Sequence, residues 1–192
     1  MSAASHHHWT PEDYLEFERA NELRHEFLNG EITQVAGASA NHNLIVTNVL
    51  ASLHGQLRQR PCLVYPGDMR VKISQVGLYT YPDVSVVCGT PQFEDDQRDT
   101  LLNPALVMEV LSPSTERYDR GKKFQHYRTL TSIQEYVLIT QDAPRVERYI
   151  RQADGMWLLD DVAGTASEMP LQSIDCTLPL ADVYEKILFE AE

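Results

Sequence analysis

Two acidic residues stand within apolar stretches of the sequence, where a carboxylate is unusual. Asp83 lies in the run Tyr81 to Val87, and Glu109 lies in the run Leu106 to Ser112. A buried carboxylate is costly to desolvate unless it is ion-paired, hydrogen-bonded or bound to a cation. Both residues are therefore candidates for chemistry.

The chemistry that suits two such carboxylates is divalent metal binding. Mg²⁺ and Mn²⁺ prefer hard oxygen ligands and also accept backbone carbonyls and water. A bound cation would offset the cost of burial and activate a water molecule. Lys122 or Lys123, which follow shortly after Glu109, could orient that water or hold a phosphate. The set predicts metal-dependent phosphodiester hydrolysis.

A structural interpretation explains the same spacing. Asp83 could accept backbone hydrogen bonds, and Glu109 could pair with a lysine or arginine. The spacing alone leaves both interpretations open.

The elements that must position these residues are strands. Val-rich runs predict buried strands at 81–88 and 105–111. Alternation along the second strand places Glu109 and Leu111 on one face, and Met108 and Val110 on the other. If the two strands are neighbours, the Asp83 and Glu109 carboxylates can meet.

The remaining pattern predicts one α/β domain over residues 1–192, an α+β mixed sheet with flanking helices and a disordered tail at 1–8. The crossover between the strands of Glu109 and Tyr136 should be right-handed. Helices are expected at 11–18, 42–57 and 120–130, with a turn and closing helix at 178–188. The other strands are expected at 31–35, 62–65, 69–73, 135–140, 146–151 and 156–159.

Composition limits the functional classes. The chain has 192 residues, 43% of them hydrophobic and 23% charged, which is ordinary for a soluble globular protein. It contains neither a secretory signal nor an apolar run of the ~18 residues that a membrane helix needs. Three scattered cysteines (Cys62, Cys88 and Cys176) show no disulfide framework, so a reducing, cytoplasmic location is expected.

The net charge of −12 argues against a protein that coats nucleic acid by bulk electrostatics. Positive charge is nevertheless concentrated, since five of the 16 Lys and Arg residues lie between Arg117 and Arg128. A solvated helix face would explain this segment. Its position directly after the strand of Glu109 favours a functional role.

A series of short motifs extends over most of the chain. It comprises His25 to Glu31, His42, Pro82-Asp83-Val84, Glu109 to Thr115, Asp119 to Phe124 and Glu135-Tyr136. This series resembles the Uma-type restriction endonuclease-like family of the PD-(D/E)XK nuclease superfamily. The run Glu-Val-Leu-Ser-Pro-Ser-Thr with its downstream Asp and Lys is the most specific part.

The resemblance implies a restriction endonuclease-like core that holds Mg²⁺ or Mn²⁺ and cleaves nucleic acid, with DNA as the expected partner. The implied catalytic residues are Asp83, Glu109 and Lys123. The expected metal ligands are Asp83, Glu109, Glu26 and Val110, and Val110 could contribute only a backbone oxygen. Glu26 would match the acid that the superfamily carries on its first helix.

One position departs from the superfamily pattern, because Leu111 stands where its acid-x-lysine signature has lysine. The substitute is expected on the following helix. Lys123 would share a helix face with Tyr127, while Lys122 would face solvent with His126. We therefore predict that the Lys123 ammonium approaches Asp83 and Glu109, with Lys122 as the competing candidate.

Two further expectations concern activity and assembly. The rival function is that of a catalytically inactive nuclease-fold protein that binds or regulates. The presence of Leu111 and the acidic net charge favour this alternative. Cutting a duplex requires two strand breaks, so a homodimer is expected.

A histidine in the position of His42, at a helix start, is more often structural than catalytic.

Overall fold

The structure, a computed structural model, describes residues 8–189, so most of the expected disordered tail lies outside the described residues. The helices are α1 (Pro11–Ala20), α2 (Ala40–Leu57), α3 (Glu116–Tyr118), α4 (Phe124–Tyr127) and α5 (Leu180–Val183). The strands are β1 (His25–Leu28), β2 (Glu31–Gln34), β3 (Cys62–Pro66), β4 (Arg70–Ile73), β5 (Leu78–Thr80), β6 (Val84–Cys88), β7 (Thr100–Leu101), β8 (Leu106–Val110), β9 (Glu135–Ile139), β10 (Arg145–Arg151), β11 (Trp157–Ala163), β12 (Glu168–Leu171) and β13 (Cys176–Pro179).

The main sheet has six strands in the order β11-β10-β9-β8-β6-β3. Strands β8 and β9 are parallel, and the other neighbours are antiparallel. A parallel pair requires a crossover, and the segment containing α3 and α4 supplies it. The predicted mixed sheet, with the strands of Asp83 and Glu109 adjacent, is confirmed.

A second sheet of five strands has the order β2-β1-β5-β4-β7. The turn at Asn29-Gly30 joins β1 to β2, and both turn residues have positive φ, as a tight hairpin turn requires. The sequence pattern did not predict β5 or β7. They contain three and two residues, too few to show alternation.

The two faces of the main sheet bury different layers. Helix α2 packs Ile45, Val49 and Leu53 against strand residues that include Val86 and Met108. The opposite face carries the crossover segment and the second sheet, whose shared core includes Val107, Leu111, Tyr127, Val71 and Ile73. Glu109 lies on this second face, between Val107 and Leu111, as alternation predicts.

The start of helix α2 is fixed by a local cap. Ser39 is the N-cap residue, and its side chain accepts a hydrogen bond from the His42 backbone N–H. Such a cap satisfies one of the free N–H groups at a helix N-terminus.

The C-terminal region differs from the expected turn and closing helix at 178–188. Residues Cys176–Pro179 form β13, which pairs with β12, and only Leu180–Val183 are helical before the chain turns. Cys176 and Leu178 are buried while Thr177 and Pro179 are less so, which is strand alternation. Leu188, at the end of the expected helix, is 83% exposed.

The expectation of three unpaired cysteines is wrong. Cys62 and Cys88 form a disulfide, while Cys176 is free and buried. The register of β3 and β6 sets the two cysteines directly opposite each other, a proximity that their separation of 26 residues does not reveal. The cytoplasmic location stays a prediction without support from the cysteines. Among residues 8–189, no helix combines the length and apolarity needed to cross a membrane.

Candidate active site

The pairing of β6 with β8 brings Asp83 beside Glu109. Val84 lies opposite Met108 in this antiparallel pair, so Asp83, one residue before β6, continues the register opposite Glu109. The backbone N–H of Val110 donates a hydrogen bond of 2.7 Å to Asp83 Oδ2. Asp83 is therefore held against the end of β8.

Glu109 is buried on the crossover side of the sheet, with 5% of its side chain exposed. Its Oε1 atom lies 2.9 Å from Lys123 Nζ and accepts a hydrogen bond of 3.1 Å from the Tyr127 hydroxyl. Ion pairing and a neutral donor together satisfy this oxygen. The described residues donate no hydrogen bond to the second oxygen, Oε2.

Lys123 lies at the centre of several acids. Its ammonium is 3.6 Å from Asp119 Oδ1 and 3.7 Å from Glu26 Oε1, in addition to the contact with Glu109. Its side chain is only 7% exposed. Lys122, by contrast, is exposed. The structure therefore places the Lys123 ammonium beside Glu109 and leaves Lys122 on the surface. The expected approach of Lys123 to Asp83 and the functional roles of both lysines stay predictions.

The crossover helix contains a π-helical turn from Asp119–Lys123, between α3 and α4. Asp119 and Lys123 are both buried, and the Tyr136 hydroxyl donates a 3.0 Å hydrogen bond to the Asp119 carbonyl. Asp119, Lys123 and Tyr127 are each four residues apart and contact the same cluster. Single π-helical turns are frequent at functional sites.

Burial and an excess of acids set the protonation of this cluster. Burial raises the pKa of Glu109 well above its ordinary value; Lys123 opposes this rise, and Asp119 and Asp83 add to it. Burial alone would lower the pKa of Lys123, but Glu109, Glu26 and Asp119 hold it well above its ordinary value. The cluster has more carboxyl than ammonium groups, so it favours retaining a proton or accepting a cation.

Glu26 lies on strand β1 and not on a helix, contrary to its match with the superfamily's first-helix acid. The Asn29-Gly30 hairpin fixes this segment as a strand, and β1 also pairs with β5 through Phe27 and Tyr79. The Thr80 hydroxyl donates a hydrogen bond to Glu26 Oε1. Thr80 therefore holds Glu26 towards Lys123.

Asp119, Tyr127 and Thr80 are contributors to the site that we did not predict. Asp119 belongs to the motif Asp119 to Phe124, but no role was predicted for it. The helical spacing predicted Tyr127 only as a core residue. The spacing of four residues from Asp119 through Lys123 to Tyr127 is the signal that would have found the first two. No sequence signal identifies Thr80, because its strand is too short.

No group of three or more His, Cys, Asp or Glu side chains within residues 8–189 is arranged to hold a metal ion. The Lys123 ammonium lies among three carboxylates, those of Glu26, Glu109 and Asp119. The donor chemistry nevertheless fits a hard divalent cation, since carboxylates surround the site and exceed the local positive charge. The expected metal roles of Asp83, Glu109, Glu26 and the Val110 backbone stay predictions.

Comparison with known proteins identifies relatives of this chain. Residues 11–181 match the Uma2 family, described as "Putative restriction endonuclease". Two uncharacterized proteins of Synechocystis sp. (strain ATCC 27184 / PCC 6803 / Kazusa) are also similar. Protein sll1609 is 39% identical over 160 residues, or 83% of this chain and 90% of the relative. Protein slr1290 is 33% identical over 180 residues, or 94% of this chain and 93% of the relative.

A solved structure has the same fold. It is the crystal structure of a "putative nuclease belonging to DUF820" from Anabaena variabilis ATCC 29413. The TM-score is 0.73 at 19% sequence identity, covering 92% of this chain and 98% of that one. The restriction endonuclease-like fold class is confirmed, and the chain belongs to the Uma2 family.

Proposed function

We propose that this protein is a nuclease that hydrolyses phosphodiester bonds in DNA with the help of Mg²⁺ or Mn²⁺. The observation that carries the proposal is the buried Lys123 ammonium, 2.9 Å from Glu109 on the strand whose next residue, Val110, donates its backbone N–H to Asp83. A metal-dependent nuclease needs carboxylates for the cation and a positive group for the phosphate or the attacking water.

Asp83 and Glu109 would hold the cation, with Glu26 and the Val110 carbonyl as the further candidates. A bound divalent ion would stabilise negative charge on the phosphate and make a water molecule more acidic. The hydrogen bonds from described residues use only Oδ2 of Asp83 and Oε1 of Glu109. The second oxygen of each carboxylate is left for a cation.

Lys123 would take the role of the strand lysine, because Leu111 occupies the position where the superfamily signature has lysine. Its raised pKa keeps the ammonium charged at neutral pH, and its three N–H groups can bind a phosphate oxygen or orient a water. Leu111 is 4% exposed within the second core cluster. The apolar side chain of Leu111 packs in the same core cluster as Tyr127, which lies on the crossover helix that carries Lys123.

Binding to DNA is supported by the cations that remain on the surface of the crossover segment. Arg117, Lys122 and Arg128 are exposed and form no ion pair with any described residue, whereas Arg120 is paired with Glu116 and Glu147. Unpaired Lys and Arg side chains are the groups that contact the phosphate backbone. They flank the lysine that enters the site.

The direct test is cleavage of supercoiled plasmid by the purified protein. We expect nicked or linear product with Mg²⁺ or Mn²⁺ and none with EDTA. The variants Asp83→Asn and Glu109→Gln should be inactive, and His54→Ala, on the exposed end of α2, should cut like the parent. A parent that binds DNA but never cuts it with either metal would establish the non-catalytic binding function instead.

A further inference from the structure

Asp83 makes a second contact besides the Val110 N–H. His42, in the first turn of α2, places its Nε2 atom 3.2 Å from Asp83 Oδ2. The His42 side chain is 13% exposed and that of Asp83 is 22% exposed, so the contact is largely shielded from water. The other ring nitrogen, Nδ1, is buried and has no hydrogen-bond partner among the described residues. Asp83 is therefore the polar contact that orients this ring.

A chain of hydrogen bonds ties the start of α2 to the end of β8. Ser39 Oγ accepts from the His42 backbone N–H at 3.0 Å and donates to Gln141 Oε1 at 2.6 Å. Gln141 Nε2 in turn donates to the Leu111 carbonyl at 2.6 Å. The helix turn that bears His42 is thus anchored to the strand that bears Glu109.

Both contacts on Asp83 converge on one oxygen. Val110 N–H and His42 Nε2 approach Oδ2, and the described residues donate no hydrogen bond to Oδ1. Two contacts on one oxygen fix the rotation of a carboxylate and aim the other oxygen away from them. Groups that orient a metal-binding side chain in this way affect the affinity for the metal.

From this geometry we infer that His42 is a positioning residue for Asp83, and that the Ser39–Gln141 link holds His42 in place. The inference rests on the proposed function, because it assigns Asp83 as a ligand of the divalent cation. His42 acts through Asp83 and does not itself touch the substrate. Its effect should therefore appear first in metal affinity.

The experiment measures Mn²⁺ binding to the full-length protein by isothermal titration calorimetry, with no DNA present. We expect His42→Ala to weaken binding roughly 10- to 100-fold, the range for loss of a supporting contact around a metal ligand. His42→Gln, whose amide could donate a hydrogen bond to Asp83, should recover part of the loss. Gln141→Ala should cause a smaller loss, because it loosens only the link. His54→Ala, a histidine on the exposed end of the same helix, is the matched control and should bind like the parent.

The outcomes separate this inference from the proposed function. Equal Mn²⁺ affinity of the parent and His42→Ala would overturn the positioning role and leave the metal site standing. A parent that binds no Mn²⁺ would contradict the proposed function, and the inference would fall with it. Circular dichroism melting of each variant separates positioning from folding. Recovery of Mn²⁺ affinity by His42→Gln supports positioning if His42→Gln and His42→Ala have the same melting temperature. Recovery that merely follows a restored melting temperature would overturn it.

Discussion

The charged cluster around Lys123 differs from an ordinary ion pair in the number of its acids. One ammonium contacts three carboxylates, those of Glu109, Glu26 and Asp119, and all four groups are largely shielded from water. Removing the ammonium would leave buried carboxylates without their counter-ion, which they can tolerate only by taking up protons. Lys123 therefore contributes to stability as well as to the proposed chemistry.

Substitution of the two lysines separates their roles. We expect Lys123→Ala to lower metal-dependent plasmid cleavage by at least about 100-fold, the scale of losing one group that stabilises transition-state charge. Lys122→Ala should only weaken DNA binding, because this side chain is exposed and can contact only the phosphate backbone. Cleavage rates and DNA affinity are measured on the same preparations.

Lys123→Met serves as the control for folding, since it keeps most of the apolar stem without the charge. It should melt as a folded protein and be as inactive as Lys123→Ala. Cutting by either variant at the parent's rate would disprove the role of Lys123.

At the scale of residues, strand and helix periodicity was enough to predict part of the site. The shared face of Glu109 and Leu111 and the inward direction of Lys123 come from alternation and helical spacing. The strand position of Glu26 and the hydrogen bond from Thr80 depend on a second sheet that local pattern does not reveal. The spacing of four residues between Asp119 and Lys123 is visible in the sequence, but the π-helical turn that contains them is not, and no role was predicted for Asp119.

Among the elements, α1 is joined to the second sheet by a network of charges. Arg19 on α1 binds Asp95 and Asp99, and Arg70 on β4 lies 3.0 Å from Asp99 with only 3% of its side chain exposed. The hydrogen bond from Arg19 is the main cause that lowers the pKa of Asp99 to about 2. The loop that carries Asp95 and Asp99 therefore connects α1 to β4.

The pKa of Asp99 predicts how stability depends on pH. A depressed folded-state pKa gives stability that is present above the ordinary value of 3.8 and is lost as the pH falls through about 2. Asp99→Asn should lower the melting temperature at pH 7, by roughly 2–4 °C for each kcal/mol lost in a chain of this size. The difference from the parent should shrink as the pH falls from 4 towards 2. A difference that stays constant over that range would refute the assignment.

The disulfide joins the edge strand β3 to β6, the strand that follows Asp83. Cross-linking a loop of this length stabilises a protein by about 3.5 kcal/mol in the chain-entropy account. The double variant Cys62→Ser, Cys88→Ser should therefore unfold at a lower urea concentration than the parent under non-reducing conditions. Addition of reductant should lower the parent's midpoint and leave that of the variant unchanged. A parent whose midpoint does not respond to reductant would contradict the contribution of the cross-link.

Over the whole molecule, the net charge of −12 limits how DNA could be bound. Most cations are already paired with acids, so the free positive charge of the crossover segment is small for one duplex. Association of two copies would double that surface and supply two sites for two strand breaks. We therefore predict a homodimer, with a mass of about twice 21.9 kDa in light scattering at micromolar concentration. A monomer under these conditions would count against it.

The whole-molecule organisation was partly predictable. The order of strands and helices predicts a mixed sheet with helices on its faces, because parallel β8 and β9 need a crossover. The second sheet was only partly predictable. Strands close to β2 and β4 were expected, but β5 and β7 have three residues or fewer, and the pairs β1–β5 and β4–β7 join segments distant in sequence. The single-domain prediction stays to be tested by unfolding, in which one cooperative transition is expected.

The central claim is that Asp83 and Glu109 hold a divalent cation beside Lys123. A crystal structure of the protein soaked with Mn²⁺, with an anomalous difference map, tests it most directly. We predict a manganese peak within bonding distance, about 2.0–2.6 Å, of a carboxylate oxygen from each of Asp83 and Glu109. A map without a peak there, or with manganese that touches neither carboxylate, would contradict the account.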